Sequence, residues 1–149
     1  MTSGVCSRDS RAITVLFVDD DADVLFAYQL ITTEAGMLVE LARDGHAAIA
    51  LAGVVVPDVI VLDLGLRSDD GLNGLEVARR LRASAPTSSV PILIVSGSTS
   101  ARDMAEVQAS GCDWHLVKPC SADELVEVVT ALALGRRVDR APSSSAASA

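Results

Sequence analysis

At 149 residues the chain has room for one domain of ordinary size and not comfortably for two. Half of it is hydrophobic with few aromatics, so Val, Leu, Ile and Ala must supply most of the core, and the net charge of −8 argues against a nucleic-acid surface, which needs clustered Lys and Arg. No apolar run approaches the roughly 18 residues of a membrane span and the N-terminus lacks a signal-peptide core, so a cytoplasmic protein without membrane or direct nucleic-acid contact is expected.

Residues 1–10 are polar and aperiodic and read as a disordered lead-in. Ile13 to Val18 is a first buried strand that runs into Asp19, Asp20 and Asp21. In the helix that follows, Val24, Tyr28, Ile31 and Ala35 fall on one face, Asp21 caps the start and Gly36 ends it. Met37 to Leu41 is a shorter strand with a charge in it, which suits a sheet edge. Asp44 caps a second, Ala-rich helix to about Ala52, with Ala48 and Leu51 inward.

Val59, Ile60, Val61 and Leu62 then run straight into Asp63, Leu64 and Gly65. Four apolar, mostly β-branched residues of this kind read as a strand buried on both faces. Asp63 sits where that strand leaves the core. A third helix is predicted from about Leu75 to Ala85, with Val77, Ala78 and Leu81 facing inward. Pro91 to Val95 is another apolar strand, ending in Ser96 and Gly97. The fourth helix, about Ala101 to Ser110, has only Met104 and Val107 as sizeable anchors and should be the least firmly held. Trp114 to Val117 is the other edge strand, ending in Lys118 and Pro119. Ser121 and Glu124 have capping-box spacing and open a fifth helix with Leu125, Val128, Val129 and Leu132 inward. From 137 to 149 the chain reads as a disordered Ser/Ala tail. Cys6, Cys112 and Cys120 are odd in number and lack metal-type spacing, as reduced thiols would.

Five strands alternating with five helices predict a parallel sheet covered on both faces. Right-handed crossovers place Asp19, Asp20, Asp63, Ser96 and Lys118 on one rim. Carboxylates a few ångströms apart repel unless a cation or proton intervenes, and hard oxygen ligands of low number suit Mg²⁺. With the Lys118 ammonium and the Ser96 hydroxyl added, the set matches a phosphoryl group that Asp63 attacks to form an acyl phosphate.

Val18-Asp19-Asp20, Val61 to Leu64, Val95-Ser96-Gly97 and Lys118-Pro119, each at a strand end and in this order, resemble the receiver domain of two-component response regulators. The likeness covers about Ala12 to Gly135 and gives a receiver domain over 11–136. It implies a doubly wound (βα)5 flavodoxin-like sandwich with strand order 2-1-3-4-5. It also implies that Asp63 takes phosphate from a histidine kinase or histidine phosphotransfer protein. Asp20, Asp63 and the Gly65 carbonyl would hold Mg²⁺ directly, and Asp19 through water. Lys118 would pair with the phosphoryl oxygens, Ser96 would turn inward to them, and the Lys118–Pro119 bond would be cis. The expected output is altered partner binding through the fourth helix, last strand and fifth helix, with no output domain of the chain's own. Homodimerisation on phosphorylation is compatible with this.

Three departures stand out. Arg67 occupies the place of a customary proline. The family's glycine spacing falls on Gly71, whereas Gly74 fits the helix start, which implies about three inserted residues in the loop 67–73. His115 replaces the usual Tyr or Phe three residues before the lysine, a smaller, titratable ring at that place, and is a candidate switch residue alongside Ser96. Two other readings use the same residues. Asp19 and Asp21 resemble the opening motif of haloacid-dehalogenase-type phosphohydrolases, although no cap or later acidic pair is found. A receiver-like scaffold that takes no phosphate is the third.

Overall fold

The apolar run that ends in Asp63 becomes β3 (Val59–Asp63), the central strand of a five-stranded parallel sheet. The computed structural model describes residues 12–67, 72–97 and 100–138. Its other strands are β1 (Thr14–Val18), β2 (Leu38–Ala42), β4 (Ile92–Ser96) and β5 (Trp114–Val117), in the order β2-β1-β3-β4-β5. This is the doubly wound order expected, with β2 and β5 at the edges. The lead-in over 1–10, Gly71 and the tail from 139 lie outside the described residues.

Alternation along each strand divides the core in two. Leu16, Val18, Ile60, Leu62, Ile92 and Ile94 face α2 (Gly45–Val55), α3 (Gly74–Ala83) and α4 (Ala101–Ala109), whose Ala48, Ala52, Val77, Ala78, Leu81 and Val107 complete that cluster. Val15, Phe17, Val59, Val61, Leu93, Val95 and Leu116 face α1 (Ala22–Glu34) and α5 (Ala122–Ala133), where Leu25, Leu125, Val128 and Val129 meet them. The rings of Phe17 and Tyr28 stack at 4.9 Å on this side.

The helix ends follow from their caps. The side chains of Asp21, Asp44, Asn73, Ser100 and Ser121 accept the first free backbone N–H groups of the five helices. Gly36, at φ +89°, lets the chain leave α1 in a conformation that a side chain would strain.

Two expectations are corrected. In α1 the fully buried positions are Leu25 and Thr32, while Val24, Tyr28 and Ile31 are half-buried and Ala35 is exposed. The helix is apolar on several sides, with Phe26 and Leu30 exposed, so its pattern does not fix which face turns inward. Thr32 is tolerated there because its hydroxyl donates to the Tyr28 carbonyl at 2.8 Å. The third helix stops at Ala83, short of Ala85. Ser84 is extended (φ −100°, ψ 130°), and a short 3-10 turn, Ala85–Thr87, follows around Pro86.

α4 presents a single fully buried residue, Val107, with Met104 half-buried. Among the described residues no helix is long and apolar enough to cross a membrane.

Candidate functional site

The strand register assembles the rim. Val18 pairs with Leu62, so Asp19 and Asp63 lie one step beyond the last paired residues of adjacent strands, both on the side facing α1 and α5. The Asp19 N–H donates to the Ala42 carbonyl, the Leu64 N–H to the Val95 carbonyl and the Lys118 N–H to the Ser96 carbonyl, which extends the ladders to the lip of the site. The Lys118–Pro119 bond is cis, as the resemblance implied.

Asp19, Asp20 and Asp63 each bring a carboxylate oxygen to within 4.8 Å of the others. Asp19 is the buried member, with a relative exposure of 2 %. Its Oδ1 accepts the Asp21 N–H at 2.9 Å, whereas its Oδ2 has no hydrogen-bond donor. Burial pushes the Asp19 carboxyl above its ordinary pKa. The Asp21 hydrogen bond and the Lys118 charge oppose that shift, and the charges of Asp63 and Asp20 add to it.

The Lys118 ammonium lies 3.4 Å from Asp63 Oδ1 and 3.6 Å from Asp19 Oδ2, between the two inner carboxylates. Asp63 Oδ1 also accepts the Gly65 N–H at 3.1 Å. Asp20, on the outer side, meets Arg67. The Arg67 backbone N–H points at Asp20 Oδ2 at 3.4 Å, and Arg67 Nε lies 3.6 Å from the same oxygen.

Buried Ser96 lies on the opposite side of the sheet from Asp63, with its Oγ 3.1 Å from Nε2 of half-buried His115. Beside the rim, Gly65, Asn73, Ser96, Gly97, Asp103 and Glu106 line a depression between the loop after β3 and α4. α3 bears directly on the site. A Cβ at Gly74 would stand 2.5 Å from the carbonyl oxygen of Asp63 and 3.1 Å from the Leu64 Cα and carbonyl oxygen.

The structure thus brings Asp19, Asp20, Asp63, Gly65 and Lys118 together, and couples Ser96 to His115. The donor set fits a hard divalent cation: three clustered carboxylates, one with a buried oxygen that lacks a hydrogen bond. The contact of Arg67 with Asp20 was not foreseen. A cation four residues after Asp63, on the loop leaving that strand, was the available signal. The close approach of Gly74 was not foreseen either, although that glycine was placed at the helix start.

The sequence matches the family model of the response regulator receiver domain over residues 15–130. It is 40% identical over 131 residues to the transcriptional regulatory protein PrrA of Mycobacterium tuberculosis, covering 88% of this chain and 54% of that protein. The chain therefore spans about half the length of such curated relatives. Its structure resembles the chemotaxis response regulator CheY4 of Vibrio cholerae, with TM-score 0.74 and 29% identity over 81% of this chain and 98% of that one. It also shares its fold with the receiver domain of the sensor histidine kinase PA1611 of Pseudomonas aeruginosa, solved with a magnesium ion in its active-site cleft. There the TM-score is 0.75, with 24% identity over 82% of this chain and 98% of that one.

Proposed function

The chain belongs to the response regulator receiver domain family of two-component systems, and on that premise we propose that Asp63 accepts a phosphoryl group from the phosphohistidine of a histidine kinase or phosphotransfer protein. The Asp63 carboxylate attacks phosphorus, the phosphorus–nitrogen bond of the donor breaks, and the released imidazole takes up a proton. The arrangement that carries this reading is the Lys118 ammonium 3.4 Å from Asp63 Oδ1 and 3.6 Å from Asp19 Oδ2, beside the three clustered carboxylates.

Asp19, Asp20, Asp63 and the Gly65 carbonyl would hold Mg²⁺, and the PA1611 receiver, which shares the fold, was solved with a magnesium ion in its active-site cleft. Bound there, the ion offsets the negative charge that phosphoryl oxygens bring to an acidic site. Lys118 already faces the acceptor and needs little movement to meet those oxygens. Ser96, whose Oγ faces His115 Nε2 at 3.1 Å, would turn toward them. The signal then passes to α4, β5 and α5 as altered partner binding. With a net charge of −8, this domain itself is read as making no direct nucleic-acid contact, whatever larger protein it serves. Slow loss of phosphate by hydrolysis at Asp63 completes the cycle.

Intact mass after incubation with Mg²⁺ and acetyl phosphate tests the reading. A gain of about 80 Da in the wild type with Mg²⁺, absent in Asp63→Ala, is expected. No adduct with any donor, and partner binding unchanged in Asp63→Ala, would mark a scaffold. Turnover of a simple phosphate ester would favour the hydrolase reading.

A further inference from the structure

Among the described residues, two cations are shared among three carboxylates at the rim. Lys118 faces Asp63 and Asp19. Asp20, whose side chain keeps 32 % of its exposure, is met by Arg67. Both the backbone N–H and the Nε of Arg67 converge on one oxygen, Asp20 Oδ2, at 3.4 and 3.6 Å. That carboxylate belongs to the cluster read above as the Mg²⁺ site. The Arg67 side chain is otherwise largely exposed, at 89 % of its surface.

From this geometry, and resting on the metal reading above, we propose that Arg67 is the resident counter-ion of Asp20 and is displaced when a divalent cation binds. A dication and a guanidinium drawn to one carboxylate repel each other. The exposed, entropically costly Arg67 contact is the weaker of the two and yields. The backbone N–H holds the loop against Asp20 and keeps the guanidinium nearby after release. Arg67 therefore lowers the affinity of the site for Mg²⁺ and makes it depend on salt, and the freed guanidinium is left at the mouth of the site on the solvent side.

The test measures Mg²⁺ binding by calorimetry in the wild type, Arg67→Gln and Arg67→Lys at low and high salt, and follows the Arg67 Nε–H resonance in labelled protein during a Mg²⁺ titration. Arg67→Gln is expected to bind Mg²⁺ about two- to fivefold more tightly at low salt, the range a surface ion pair spans. Arg67→Lys should stay near the wild type, and the advantage of Gln should shrink as salt screens the pair. The Arg67 resonance should move toward its solvent-exposed position as Mg²⁺ saturates. Equal or weaker binding by Arg67→Gln, or an Arg67 resonance unmoved at saturation, would overturn the proposal while leaving the metal site standing. No Mg²⁺ binding in any of the three proteins would overturn the metal reading and this proposal with it.

Discussion

Ser96 Oγ and His115 Nε2 face each other at 3.1 Å, a diagonal pair across β4 and β5 on the side covered by α4. Burial holds the His115 imidazole below its ordinary pKa. The folded protein thus keeps the ring neutral in a range where the unfolded chain, near pH 6.5, already takes up a proton. The unfolded state binds more protons there, so stability falls as pH drops from about 6.5 toward the lowered folded value. Urea unfolding across that range should show the slope in the wild type and a flatter one in His115→Gln. An unchanged slope would remove His115 as its source.

Asp19 is a buried carboxylate with one oxygen lacking a hydrogen bond and two further carboxylates beside it. Without metal its charge is a net cost. Asp19→Asn is expected to stabilise the metal-free protein by about 1 kcal/mol, a rise of about 3–5 °C in Tm. The same variant should lose most of the Mg²⁺-dependent gain in Tm expected of the wild type. Thermal melts with and without Mg²⁺ measure both, and a variant less stable than the wild type without metal would contradict the argument.

Three glycines in helices should answer differently to the same methyl group. At Gly74 it would meet the Asp63 carbonyl oxygen at 2.5 Å, and backbone cannot step aside cheaply. Gly74→Ala should cost about 2–3 kcal/mol and slow phosphorylation of Asp63. At Gly45 the obstacles are side-chain carbons of Leu72 and Val77 at 2.7 and 2.8 Å, which can partly rearrange, so the loss should be smaller. At Gly53, within α2, nothing lies within 4 Å. Gly53→Ala should stabilise by about 0.5–1 kcal/mol. Denaturant midpoints for the three variants give the order.

Arg82 ties together the two loops below the sheet. It donates from Nε to the Gly111 carbonyl at 2.9 Å and from one terminal nitrogen to the carbonyls of Val90 and Ser88 at 2.6 and 3.2 Å. Its other terminal nitrogen pairs with Asp113, which also accepts the Ile92 N–H at the start of β4. Arg82→Ala should cost about 3 kcal/mol in urea unfolding. Lysine cannot reproduce the planar fork, so Arg82→Lys should recover little of it.

What could be read in advance depends on the range of the interaction. Buried strands such as Val59 to Leu62 announce themselves through local runs, and strand-end carboxylates follow from chain order. That suffices for the sheet and for the meeting of Asp19, Asp20, Asp63 and Lys118. The inward face of α1 was not legible, because a helix with Leu25, Phe26 and Leu30 on different sides has no single apolar stripe. The Arg82 clamp was hidden because most of its partners are backbone carbonyls, whose residue identity carries no signal. Arg67 and Asp20 are 47 positions apart, and their contact appears only once β1 and β3 are set side by side.

The strand that ends in Asp63 is hydrogen-bonded on both sides and its apolar residues are at most 2 % exposed. A phosphoryl group added to that carboxylate, as proposed above, could not shift its own strand cheaply, because moving β3 means unzipping two ladders and opening both halves of the core. The middle of the sheet therefore acts as a benchmark against which other parts are displaced. On the reading proposed above, a change at Asp63 would leave sideways, through short polar contacts such as Ser96 with His115, toward α4, whose one fully buried residue is Val107. In such a layout the place that would receive the message and the place that would move are different.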